Sequence, residues 1–84
     1  MNRRKLLQQI LISPRNVKFD EFVGLVEAFG FEPDRVSGSH HIFKHAAIRE
    51  LVNIQNYRGE AKPYQIRQFL RIVEKYDLHL EEQA

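Results

Sequence analysis

The hydrophobic period of this chain changes at Gly30, and that change constrains the fold more than any other feature. Before it, Phe19, Phe22, Val23, Val26 and Phe29 recur at three- and four-residue spacing and so share one helix face. After it, polar and apolar residues alternate in the strand manner. With 84 residues to hold both patterns, the chain has room for one core and one small domain. A helix must therefore lie directly against the strands that follow it.

The other elements follow from local signals. Leu6, Leu7, Ile10 and Leu11 predict a first helix from Asn2 to about Ile12, stopped by Ser13-Pro14 because proline disfavours helix in the residue before it. Asp20 is the expected N-cap of the second helix, and Gly30 suits the left-handed position after its end. Phe31 to Val36 is expected to be extended, with Pro33 marking an edge strand. Ser37-Gly38-Ser39 is a tight turn, and His40 to His45 is the second strand. Ala46 and Ala47 begin a connection, Leu51 to Gln55 is a third strand, and Asn56 to Lys62 is expected to be a polar loop. Pro63 fits the first turn of a last helix, where its missing N–H costs nothing. That helix buries Ile66, Phe69, Leu70, Val73 and Tyr76, while Arg67, Arg71 and Lys75 form a cationic stripe. The expected class is α+β: helix, three-stranded antiparallel sheet, helix, with an extra N-terminal helix. Both main helices cover one face and the other stays open.

Composition removes several function classes. There is no cysteine, so neither disulfides nor thiolate metal sites are available. No apolar run is long enough to span a membrane, and the basic start lacks a cleavage site, so no signal peptide is read and a cytoplasmic location is expected. The net charge is only +2, but it is unevenly spread. Residues 35–75 hold eight basic and three acidic side chains, and the end of the chain is acidic, with Asp77, Glu81 and Glu82. A polyanion would be drawn to the middle of the chain.

Three of the four histidines, His40, His41 and His45, fall within six positions. If Phe43 faces the core, His41 and His45 share its side, where packing and hydrogen bonding are their expected roles. His40, Ile42 and Lys44 then point to the open face. A histidine titrates near neutrality, so His40 is the candidate general base or acid. Adjacent strand residues point to opposite faces, so His40 and His41 cannot easily chelate one ion, and no carboxylate lies close in sequence. Neither a metal nor another cofactor is expected. A Ser/His/acid triad through Ser39 lacks partner spacing. His79 lies outside the cluster and receives no role.

The segment Ser37-Gly38-Ser39-His40-His41-Ile42-Phe43-Lys44-His45 resembles the signature of the HicA toxin family, small mRNA interferases paired with HicB antitoxins. The resemblance includes Glu27-Ala28-Phe29-Gly30-Phe31 and Arg35-Val36 upstream and Lys62-Pro63 downstream. It covers roughly residues 18–78. Residues 1–13 form a helical extension that the shortest members lack, and residues 79–84 an acidic tail. The resemblance implies a double-stranded-RNA-binding-type fold and a metal-independent RNA endonuclease whose catalytic histidine is His40. Its implied partners are mRNA and a HicB-like antitoxin, with no membrane. Arg35, Gly38, Ser39, Lys44 and Lys62 are the candidate RNA-binding residues. Tyr64-Gln65 stands where many members have Gly-Thr, and Ile42 replaces a commonly polar residue. Two other readings fit the same fold: a non-catalytic RNA-binding module, and a protein-interaction domain with Ile42 as apolar anchor.

Overall fold

A computed structural model describes residues 2–81 of the chain. The predicted acidic position Glu82 lies outside the described residues. Helix α1 (Arg3–Ile12) begins at Asn2, whose side-chain oxygen accepts from the backbone N–H groups of Arg4 and Lys5 at 2.8 and 3.3 Å. That satisfies two donors that the helix start leaves free. Leu6 and Ile10, one turn apart, are buried on the second helix, while Leu11 is exposed. Leu7 and Leu11 instead rim an apolar groove closed by Leu70, Val73, Leu78 and Leu80. The N-terminal helix is thus continuous with the main core.

Helix α2 (Phe19–Ala28) presents Phe22, Leu25 and Val26, all fully buried, and ends on Gly30 at φ 95°. A Cβ on Gly30 would stand 2.9 Å from His45 Nε2, so both the backbone angle and the space require glycine. The expected N-cap at Asp20 is corrected. Lys18 is the capping position and makes no side-chain cap bond. Burying Phe19 draws the helix start back, and Asp20 and Glu21 fall in the first turn, where negative charge favours the helix dipole.

The sheet runs β1 (Phe31–Ser37), β2 (His40–His45), β3 (Ile48–Tyr57), β4 (Glu60–Ala61), antiparallel and in chain order. Pro33 lies on β1, an edge strand, where a missing donor is tolerated. The sheet has a fourth strand within Asn56 to Lys62, where the sequence predicts a polar loop. Arg58 (φ 52°) and Gly59 (φ 85°) both take the left-handed conformation of a two-residue hairpin, which turns the chain back into β4. The segment before α2 then covers that edge. Ala61 N–H donates to the Val17 carbonyl, and Phe19 N–H to that of Gly59, both at 2.9 Å. The third strand is also longer than expected, because Ala46-Ala47 is a two-residue turn that pairs His45 with Ile48.

Helix α3 (Pro63–Lys75) starts on Pro63 as expected. Phe69 is its central anchor, with Phe22, Phe29 and Phe31 at ring distances of 5.4, 5.6 and 5.7 Å. Burying one such side chain contributes roughly 1.5–3 kcal/mol. Leu70, Val73 and Tyr76 are only partly buried, and Leu70 and Val73 line the groove shared with α1. The chain then folds back, and Glu81 N–H donates to the Ala28 carbonyl at 2.7 Å. α2 and α3 cover one face of the sheet and share a core with Phe31, Phe43, Val52 and Ile54, and α1 packs on α2. No helix among the described residues is long and apolar enough to cross a membrane.

Candidate functional site

The β1–β2 hairpin sets the site. Its two-residue turn is Gly38-Ser39, with Gly38 at φ 60° and Ser39 outside the positive-φ region. A positive φ at the first central residue alone is what a type II′ hairpin requires. A Cβ on Gly38 would meet no protein atom within 4 Å, so within the chain it is the positive φ of the turn that calls for glycine. The Ser39 carbonyl accepts from the Asn56 N–H at 2.9 Å, which ties the turn to β3.

That turn starts β2 at His40, and strand parity does the rest. Phe43 is buried. On its side, His41 packs against Phe19 with ring centroids 4.7 Å apart. His45 packs against Phe31 at 4.9 Å, and its Nδ1 accepts from the Ala47 N–H at 3.0 Å. His40 stands on the opposite, open face. There its Nδ1 lies 3.0 Å from Asn53 Oδ1. The Asn53 oxygen only accepts, so Nδ1 carries the proton and the lone pair of the neutral ring sits on Nε2. With Nδ1 donating, Nε2 is the ring atom left able to accept a proton.

The cations around His40 are arranged less simply. Arg35 pairs with Ile42 across β1 and β2 and so shares the open face. A bulge between Pro33 and Arg35 brings Asp34 within 3.4 Å of Arg35 and 3.9 Å of Lys44. One carboxylate therefore serves two predicted phosphate contacts, both more than half exposed. Lys62 lies beyond β3, where its ammonium covers the Tyr57 ring at 4.9 Å from the centroid. Arg35, Gly38, Ser39, His40 and Lys44 thus gather on one hairpin, and Lys62 stands apart from it.

The sequence reading missed Asn53, Asp34, Gln65 and Tyr57. Gln65 is buried, and its side-chain oxygen accepts from the Gln55 N–H at 2.7 Å, supplying a partner at a point of β3 that β4 does not reach. Gln55 is the cross-strand partner of His40, so α3 steadies the strand behind the imidazole. Asn53 follows from parity, since Val52 and Ile54 face the core, but its bond to His40 also needs the register set by Ala46-Ala47.

The cationic stripe on α3 is partly engaged. Lys75 donates to Glu50 at 3.2 Å. The Tyr76 hydroxyl first, and then this ammonium, hold the Glu50 carboxyl below its ordinary value. Glu50 in turn, with Tyr76 after it, raises Lys75. Among the described residues no three His, Asp or Glu side chains converge as a metal-ligand set.

A family model described as HicA toxin of bacterial toxin-antitoxin matches residues 19–74, which spans α2 through nearly all of α3 and leaves α1 outside. No curated protein matches the chain, and no solved structure does.

Proposed function

This chain belongs to the HicA toxin family of bacterial toxin–antitoxin systems, and from that membership we propose that it is a metal-independent endoribonuclease acting on mRNA. His40 is the general base, and a HicB-like antitoxin restrains the enzyme in the cytoplasm. The observation that carries this reading is the imidazole of His40 on the open sheet face, bonded through Nδ1 to Asn53 and free at Nε2.

Nε2 takes the proton of a ribose 2′-OH. The 2′ oxygen then bonds to the adjacent phosphorus as the bond from phosphorus to the 5′ oxygen breaks, and solvent protonates the leaving oxygen. The products are a 2′,3′-cyclic phosphate and a 5′-hydroxyl. Arg35 and Lys44 offset the charge that accumulates on the phosphoryl oxygens, the Gly38-Ser39 turn brings backbone to the same strand end, and Lys62, standing apart, meets a flanking phosphate. Asn53 positions His40 and does not touch the substrate.

The test is incubation of purified protein with mRNA, with and without a chelator, followed by analysis of the new ends. Cyclic-phosphate ends that form equally fast in chelator support the reading. Activity lost to chelator and restored by a divalent ion rules out the metal-free mechanism. A stable wild-type chain that cuts no RNA, yet binds it, supports the non-catalytic RNA-binding module instead.

A further inference from the structure

Tyr57 ends β3 with 48% of its surface exposed. By parity it shares the open face with Asn53 and Gln55, and Gln55 is paired with His40. Tyr57 is therefore one diagonal step from the proposed base, on the order of 7–8 Å between backbones. The Lys62 ammonium and the Arg58 guanidinium lie over its ring, at 4.9 and 5.4 Å from the centroid. Neither cation has a carboxylate partner among the described residues. The backbone beneath is tied on both sides of the turn: Gly59 N–H donates to Asn56 Oδ1 at 2.8 Å, and the Gly59 carbonyl accepts from Phe19.

An exposed aromatic ring held by a braced turn, under two cations with no carboxylate partner among the described residues, combines the two components of single-strand nucleic-acid binding. Both cations end flexible side chains, so a base can take their place over the ring as they turn to the flanking phosphates. We infer that Tyr57 is the stacking platform for a nucleobase next to the scissile phosphate of single-stranded RNA, with Lys62 and Arg58 holding the phosphate on that side. This subsite rests on the ribonuclease reading. It deepens that reading by assigning the cutter a purchase on the base beside the cut.

The experiment uses the full chain with His40→Ala, so that RNA survives, and a labelled single-stranded RNA of mixed sequence, titrated at several salt concentrations. Tyr57→Ala should weaken binding roughly 5- to 100-fold with the salt slope unchanged, because a stacked base releases no counterions. Tyr57→Phe should bind like its parent. RNA with a single abasic position should lose affinity for the parent at one site, and lose none there for Tyr57→Ala. Tyr57→Ala binding within two-fold of the parent overturns the subsite and leaves the ribonuclease reading standing. A slope that falls in Tyr57→Ala shows that the ring only arranges cations, and overturns it equally. A parent that binds no RNA removes both.

Discussion

His40 and His41 are adjacent and chemically identical, yet they belong to different parts of the molecule. His41 is on the face of β2 that meets the helices, stacked on Phe19. His40 is on the face that meets solvent, bonded to another surface side chain, Asn53. The strand's period of two separates them, and the Gly38-Ser39 turn fixes which is which. On the function proposed above, this small fold keeps stability on one face and chemistry on the other. Substitutions on the core face should cost stability and spare activity. Those on the open face should do the reverse.

The sharpest test sets His40→Ala against Phe43→Ala. Losing a general base costs about 10²–10⁴-fold in rate, so His40→Ala should stop RNA cleavage at an unchanged melting temperature. Phe43→Ala should lower unfolding free energy by about 3–5 kcal/mol while the protein that stays folded cleaves normally. Denaturant melts and cleavage assays on the two variants check both claims. A His40→Ala chain that melts early would break the division between the faces.

His41→Ala should cost about 0.5–1.5 kcal/mol through its lost ring contact and leave cleavage within a few-fold. A hundredfold loss of cleavage in folded His41→Ala would mean that chemistry crosses the strand.

Smaller effects are expected in binding. For single strands each phosphate contact contributes roughly 0.7 to the slope of log affinity against log salt. Arg35→Ala, Lys44→Ala and Lys62→Ala should each flatten the slope by about that much or less. An incoming phosphate must compete with Asp34 for Arg35 and Lys44, so Lys62 should show the fullest drop. Arg67→Ala and Arg71→Ala, on α3, should change the slope least. The opposite order would put RNA along the helix.

The smallest effect concerns pH. Glu50 has its carboxyl held below the ordinary 4.5 in the folded state, by Tyr76 first and Lys75 next. Its small contribution to stability is therefore full above that ordinary value and fades as pH falls through the lowered one. Lys75 works in the opposite sense. Its contribution is full below 10.5 and fades as pH rises through the raised value. NMR titration of the Glu50 carboxyl should move upward in Lys75→Met. No movement would break the link between β3 and the end of α3.

How much of this was legible in the sequence depends on whether a feature is set by neighbours in the chain. The stripe of α2, the edge position of Pro33, the opposite faces of His40 and His41, and Pro63 at the start of α3 all are, and the structure has them. Strand β4 was not legible because its turn places Arg58 at φ 52°, a conformation usually left to Gly, Asn or Asp, and because two residues carry no period. Asp20 misled because a good capping residue yields when the residue before it, Phe19, must be buried. The bonds from Asn53 to His40 and from Gln65 to Gln55 join residues 13 and 10 apart. No local propensity encodes them, since they exist only once register and helix docking are set.

The sheet order has a kinetic consequence. Every strand pairs with its neighbour in the chain, and three two-residue turns make those pairings. Loop closure in the sheet is therefore cheap, and low contact order favours rapid folding. The distant ends meet elsewhere, where Lys18 bridges Glu60 and the core joins α1 to α3. The β1–β2 hairpin, with His40 just past its turn, should form before that closure, and the helices should lock it afterwards. Folding kinetics of Val36→Ala and Ile66→Val test the order. The first should slow folding in proportion to the stability it removes, and the second should chiefly speed unfolding.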